Sequence, residues 1–373
     1  MNKNSIVRNI LFSLITFVIF LLLLEGGMRL YVVLFNQRVT KPDPDVGWYH
    51  QPNSHKSLTL EGHSYRLSYN SHGFRVPEYA YKKPKGVRRI VILGDSFVDG
   101  SEVDDYETFT WLMQEKLDSI EVINLGVYGY STVQELIALK KFALKYDPDV
   151  VLVMTMTNDF TDNLINFSAF GPCPRYTLKN DSLVLEDTRS AAAQKVFAEI
   201  NLPVPALKFF HQHSYLYYAL NQFIYQRLKG PQIEKIIEQE STRLNRREQE
   251  SLYLRIVEEM KQVCDQSGVD FWVFFVYPKK QLLDHTHSPS SALVKQMSDK
   301  GIPVVDLFRV LRDKEINNTP EKSLYYIKDF HWNVRGHKYI SERLFEWAKS
   351  WENNRVAAEK SAENAMQIST NVE

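Results

Sequence analysis

The chain reads as an α/β protein whose parallel sheet is covered by helices on both faces. Three observations predict this. From Arg88 onward, short β-branched and apolar runs alternate with amphipathic segments, the pattern of strand, crossover helix and strand. Asp149 to Met156 is a continuous apolar run, as a strand buried on both faces requires. Val91 to Gly100, VILGDSFVDG, passes from strand through a tight turn toward a helix.

At 373 residues the chain can bury a sizeable core, in one large domain or two smaller ones. Charged residues make up 24% and hydrophobic residues 44%, the balance of a globular protein with one apolar excursion. Lys plus Arg equals Asp plus Glu at 45 each, so no basic field exists to hold a phosphate backbone, and nucleic acid is not an expected partner. Cys173 and Cys264 have neither a CxxC neighbour nor a nearby His at ligand spacing, so no metal is expected. An oxidising compartment would permit a disulfide between them. Their unrelated segments favour two buried thiols.

The apolar excursion comes first. Ile10 to Leu24, ILFSLITFVIFLLLL, carries no charge, and apolar character resumes beyond Glu25 to Phe35. With Glu25 and Arg29 near the head groups the segment reaches the roughly 20 residues that a bilayer core needs. Residues 1–35 therefore read as one transmembrane signal anchor, with a long signal peptide and a buried core helix as the alternatives. Lys3 and Arg8 ahead of it favour a cytoplasmic N-terminus, although Arg29, Arg38 and Lys41 follow. No small-residue cleavage site closes the run, which favours retention. The expected location is single-pass in an inner membrane with the remaining chain on the periplasmic side.

Residues 36–87 form a Pro-punctuated approach segment. Ser57 to Ser68 alternates around Glu61 and Gly62 as a small hairpin would, and Asn70 to Gly73 looks like a turn. This segment either clamps the anchor to the domain or shapes one wall of a cleft.

Residues 88–352 carry the α/β pattern. Strands are expected at Arg88–Leu93, Glu121–Leu125, Asp149–Met156, Asp270–Tyr277 and Ile302–Leu307. Helices are expected at Gln134–Tyr146, Arg246–Gln266 and from Val334 to Trp351. The interval at about 163–243 exceeds one crossover helix. It holds a polar stretch near Lys179–Arg189, a Pro-bracketed piece at Leu202–Pro205 and an aromatic helix from Phe209, which reads as core packing ahead of a substrate wall. His211 and His213 lack a third ligand and read as surface residues. Beyond Asn353, residues 353–373 read as a frayed tail.

Four sites fall at the carboxyl ends of expected strands or just after them, where α/β sheets collect ligands. They are Ser96; the Gly126–Gly129 turn; Asn158 in TNDF; and DFHWNVRGH, with Asp329 and His331. Acyl transfer to serine needs a base, a carboxylate to orient it and donors for the tetrahedral oxyanion. His331 supplies the base and Asp329 the orienter. The amides of Ser96 and Gly129 and the Asn158 side chain supply the donors. Asp95 reads as bracing the turn, Asp159 as ordering its loop, His337 as a packing residue and Asn333 as an N-cap.

GDSFVDG, NLGVYG, TND and DFHWN resemble the motif blocks of the SGNH or GDSL-type hydrolases, over about Val87 to Trp351. The resemblance implies a flavodoxin-like three-layer α/β/α fold and esterase, lipase or carbohydrate deacetylase activity. It places the nucleophile on Ser96, the oxyanion donors on Gly129 and Asn158 and the base on His331, with no cofactor. Gly126 competes with Gly129, which is preferred because a G-x-S pattern follows it. Two departures stand out. Met156 occupies the glycine position of the family's GxND, and its DxxH would put Lys328 in the acid's place, so only Asp329 can serve. A DxH spacing also occurs in related envelope polysaccharide O-acetyltransferases, but those carry the pair ahead of the serine. The resemblance implies a substrate with O-acyl groups on envelope or exported polysaccharide, with a lipid or small ester as rival. Acyl transfer between carbohydrates, and a non-catalytic polysaccharide-binding or assembly role, are the alternatives.

Overall fold

The computed structural model describes residues 3–35, 39–165, 167–168, 171–180, 182–186, 214, 216 and 244–370. Helix α1 (Lys3–Phe35) has a stretch, Ser5–Leu30, of 26 residues that is apolar enough to cross a membrane, and none of it is buried. At 1.5 Å per residue this spans about 39 Å, longer than a hydrocarbon core of about 30 Å. Glu25, inside it, is paired: it accepts hydrogen bonds from Arg29 Nε at 2.8 Å, Ser214 Oγ at 2.7 Å and the Leu216 amide at 3.0 Å.

The expected hairpin forms from β1 (His55–Leu60) and β2 (His63–Ser68). Its two turn residues, Glu61 and Gly62, both take positive φ, 48° and 84°, the mirror-image turn that suits the twist of paired strands. Alternation along β2 turns Tyr65 and Leu67 inward, where they pack with Val39 and Tyr69 in a small cluster of their own.

Five strands form one parallel sheet: β3 (Arg88–Gly94), β4 (Ile120–Asn124), β5 (Val150–Thr155), β6 (Asp270–Phe275) and β7 (Val304–Asp306). Their spatial order is β7-β6-β5-β3-β4. Counted among themselves this is 2-1-3-4-5, the flavodoxin-like order, with its switch point between β3 and β5. Every residue of β5 is buried, as its unbroken apolar sequence requires. The sheet is a continuous layer because Leu93 pairs with Val153, and Phe275 with Thr155, at the carboxyl ends.

From β3 the chain moves outward to β4 and then crosses back over β3 to β5 and onward to the other edge, so right-handed crossovers in opposite directions put helices on both faces. Helix α3 (Phe109–Gln114) packs against the terminal helix, while α4 (Thr132–Lys141) packs against α5 (Arg246–Gln266). Helix α5 spans the expected residues because Asn245 caps it: the Asn245 side chain accepts from the amides of Arg247 and Glu248, and Glu248 accepts in return from the Asn245 amide. Both cysteines are buried free thiols.

The strand expected at Arg88–Leu93 extends one residue further, to Gly94. Within the polar stretch after Lys179, Ser182–Glu186 pairs with Arg175–Lys179 as a hairpin, and residues 181 and 187–189 lie outside the described residues. The terminal helix α6 runs from Val334 to Thr370, past the Asn353 at which a frayed tail was expected. Side chains from that extension reach the sheet: Arg355 pairs with Asp270 at 3.1 Å, and Arg88 with Glu359 at 2.6 Å. The aromatic segment from Phe209, Leu202–Pro205, His211 and His213 lie outside the described residues.

Arg89, one residue into β3, is 1% exposed, and its guanidinium donates to Glu121 and to the carbonyls of Tyr81, Tyr146 and Ala80 at 2.6–2.8 Å. It ties the approach segment to the edge of the sheet. Arg89→Leu strands these acceptors, and a loss of about 3–5 kcal/mol of stability is expected, read as a lowered denaturant midpoint with an unchanged slope.

Candidate active site

The turn after β3 is built by close approach. A Cβ on Gly94 would lie 2.3 Å from Val98 Cγ2, so only glycine lets the short helix α2 (Ser96–Asp99) fold back onto the strand end. Asp95 caps that helix by accepting from the Phe97 amide at 2.9 Å. Ser96 then stands partly exposed at the switch point, while Phe97 and Val98 are buried behind it.

His331 reaches Ser96 from the far end of the chain. Its Nε2 lies 2.7 Å from Ser96 Oγ, and its Nδ1 lies 2.5 Å from Asp329 Oδ1. The same carboxylate oxygen accepts the His331 backbone amide at 2.9 Å, so the short Asp-x-His spacing closes a local turn. With Nδ1–H donated to Asp329, Nε2 is left to accept the serine proton. The loop is held from three sides. Asn333 donates to the carbonyls of Ser323 and Tyr325 and caps α6 by accepting from the amides of Arg335 and Gly336. Buried Trp332 packs edge-on against Phe97, whose centroid is 4.9 Å from the His331 ring. Glu61, at the hairpin tip, accepts from the amides of Ile327 at 3.0 Å and Lys328 at 2.5 Å.

The two glycines of the second turn differ. The Gly126 amide donates to Asn124 Oδ1 at 2.9 Å, and a Cβ there would lie 2.4 Å from the Asp99 amide nitrogen. Gly126 is therefore a packing glycine with its donor occupied. The Gly129 amide donates to no described acceptor, and its φ is +75°. Asn158 follows β5, directly across the switch point from Ser96. Its amide donates to Asp162 Oδ2 at 2.8 Å and also helps hold the Asp95 carboxyl. Met156, at the position where the sequence pattern has glycine, is buried, and its own amide donates to Asp159 Oδ2 at 2.8 Å. His337 is buried and accepts the Phe109 amide, a packing role. Among the described residues no group of three or more His, Cys, Asp or Glu could hold a metal ion.

Residues 92–339 match the model of the GDSL-like lipase/acylhydrolase family. The chain belongs to that family. It is an ester-bond hydrolase with the three-layer fold of the family. Solved structures similar to this GDSL-like hydrolase include an acetyl xylan esterase, AlAXEase (14% identity, 70% of this chain and 98% of that one, TM-score 0.38). Others are a lipase/acylhydrolase from Enterococcus faecalis (12%, 71% and 96%, 0.37) and the psychrotrophic esterase EstA from Pseudoalteromonas sp. (12%, 71% and 99%, 0.36). No curated protein matches the chain.

Several neighbours of this hydrolase's site carry no sequence signal. Glu61 and Glu102 are single acids in loops, and Glu102 Oε1 lies 3.5 Å from His331 Nδ1. Arg75, buried in the approach segment, donates to the carbonyls of Gly100 and Val103 and pairs with Asp105 at 3.1 Å. His50 stacks on Tyr69 at 3.9 Å beside Asp99, and burial pulls its pKa down to about 4. The placement of the approach segment against the sheet brings Glu61, Arg75 and His50 to the site, while Glu102 comes with the loop that follows α2.

Burial alone would lower the His331 pKa, but the hydrogen bond and charge of Asp329, joined by Glu102 and Asp95 where these are ionised, raise it above its ordinary value. The His331 hydrogen bond holds Asp329 below the usual carboxylate range. Replacing Asp329 by Asn removes a partner of the imidazolium, so the His331 pKa is expected to fall. Titration of its ring protons by NMR checks the sign; a rise or no change would contradict the assigned pair.

Proposed function

We propose that this hydrolase is a membrane-anchored serine esterase that removes O-acyl groups from cell-envelope or exported polysaccharide. The observation that carries the reading is the continuous hydrogen-bonded chain from Ser96 Oγ through His331 to Asp329, at 2.7 and 2.5 Å. Ser96 Oγ attacks the ester carbonyl while His331 Nε2 takes its proton. The amides of Ser96 and Gly129 and the side chain of Asn158 receive the oxyanion, which requires Asn158 to turn a donor from its carboxylate partners. Collapse expels the alcohol, which takes the proton back from His331. Water, deprotonated by the same nitrogen, then releases the acyl group and restores Ser96.

Three features support the finer parts of this reading. Ser96 is reachable from solvent, so an acyl group carried on a bulky polymer can be presented to it. The exposed Phe330 ring lies 4.1 Å from the His331 ring and offers an apolar face to a sugar ring or acyl chain. The wholly unburied apolar stretch of α1 supports anchoring, and Lys3 and Arg8 support a cytoplasmic N-terminus with the enzyme facing the periplasm.

In the full chain held in detergent, a fluorophosphonate probe is expected to label the wild type and neither Ser96→Ala nor His331→Ala. The labelling rate should climb with pH through an apparent pKa above 6.5, because the base acts in its neutral form and its pKa is raised. Labelling that survives in either variant would sink the Ser–His assignment. Acetate release from acetylated glycans, compared with long-chain lipid esters, tests the substrate class; faster cleavage of the lipid esters would replace it. An oligosaccharide acceptor added to the same assay detects transfer as an acylated sugar.

A further inference from the structure

Asp329 is 31% exposed at its side chain, which leaves its attraction for the His331 imidazolium open to screening by water and salt. Glu102 is better sheltered, 13% exposed, with Oε1 3.5 Å from the same Nδ1. Among the described residues the Glu102 carboxylate accepts no hydrogen bond and has no other ion pair. Its main chain, by contrast, is held firmly. Tyr326 Oη donates to the Glu102 carbonyl at 2.7 Å, and the buried Arg75 guanidinium takes the carbonyls of Gly100 and Val103 on either side. Tyr326 also donates its amide to the His331 carbonyl at 3.1 Å, so the loop bearing Glu102 and the loop bearing His331 are tied together. A fixed backbone that aims an otherwise unengaged carboxylate at a base is the mark of a positioning residue.

We propose that Glu102 is a second carboxylate for His331, sharing with Asp329 the orientation of Nδ1 and the stabilisation of the imidazolium. This rests on the Ser96–His331 reading above. The groups facing Glu102 are His331 and Asp329 from the terminal loop, Asp95 and Asp99 at the two ends of α2, and Tyr65, Tyr326 and Arg75. Burial, reinforced by Asp329, Asp99 and Asp95 and opposed by His331, pushes the Glu102 pKa up to about 8. Glu102 is therefore protonated below that pH, and its negative charge reaches His331 only as pH rises through about 8. Below it, Asp329 acts alone.

The test is the fluorophosphonate labelling rate of the full chain in detergent, from pH 6 to 9.5, for wild type, Glu102→Gln, Glu102→Asp, Asp329→Asn and the double variant Glu102→Gln/Asp329→Asn. The wild type should show a second rise near pH 8 above the step due to His331. Glu102→Gln should lose that rise and Glu102→Asp should keep it. At pH 9, Glu102→Gln should cost about 10-fold and Asp329→Asn about 10²-fold. The double variant should cost about 10⁴-fold, the loss that triads with one carboxylate show when it is neutralised, and more than the product of the singles. A profile unchanged by Glu102→Gln, or a double variant no worse than that product, overturns the proposal. A merely structural Glu102 would lower thermal stability in Glu102→Gln without moving the pH profile, and that outcome also overturns it. Ser96→Ala and His331→Ala are scored separately: labelling that persists in either rejects the parent reading, whereas failure of the Glu102 arms with both controls silent rejects only the second carboxylate.

Discussion

The 2.7 Å contact between His331 Nε2 and Ser96 Oγ joins the first strand of the sheet to the loop before its last helix, and most of the surrounding structure serves to hold it. On one side Ser96 is fixed because Gly94 and Gly126 have no side chains and α2 can rest directly on the strand ends. On the other side His331 sits in a loop whose backbone is saturated by Asn333, Glu61 and the Tyr325–Trp332 bridge. Neither half is stiff by itself, since both are irregular backbone at a sheet edge. Their rigidity comes from packing and hydrogen bonds donated by elements distant in sequence.

The fold was largely legible because its signals are local. The unbroken apolar run at Val150–Thr155, the Asn245 cap with Glu248 three residues on, and the Glu61–Gly62 turn each act within a few residues. Ser96 stands out for the same reason, since it sits just past a strand end, whereas Asp329 and His331 stand out by their spacing ahead of the Asn333-capped helix. Arg75, Glu102 and Glu61 were not visible. A lone acid in a loop looks the same whether it faces water or an imidazole, and only the docking of residues 39–87 against the sheet decides which. The length of α6 was misread because Ala, Glu and Asn after Asn353 carry no apolar stripe. Its persistence depends on Arg355 finding Asp270 and on Arg88 finding Glu359, pairs far apart in the chain.

Acidity around the site is concentrated on the protein side of the serine. Burial pushes the carboxyls of Asp95, Glu135 and Asp159 upward and that of Asp162 up to about 6, while Asp329, with His331 as its donor, moves the other way. The division follows the availability of a cation. For the raised carboxyls burial outweighs the hydrogen bonds and charges that oppose it, whereas the one bonded directly to the His331 ring keeps its charge. The acids under α4 and β5 thus shape the loops while adding little negative charge beside Ser96.

The approach segment then changes its standing. By position it is a link between α1 and the sheet, yet its hairpin tip holds the Ile327 and Lys328 amides and its Arg75 holds both flanks of Glu102. An α/β sheet alone would carry Ser96 and Asn158 with the base on an unsupported loop. The wall that holds the His331 loop comes from the residues nearest the apolar helix. Among the described residues the hairpin bonds to the Ile327–Lys328 loop and to Asp104, Asp105 and Glu107, while Tyr69 and His50 of the same segment lie against Asp99 on the helix that carries Ser96, so this one segment touches both halves of the site.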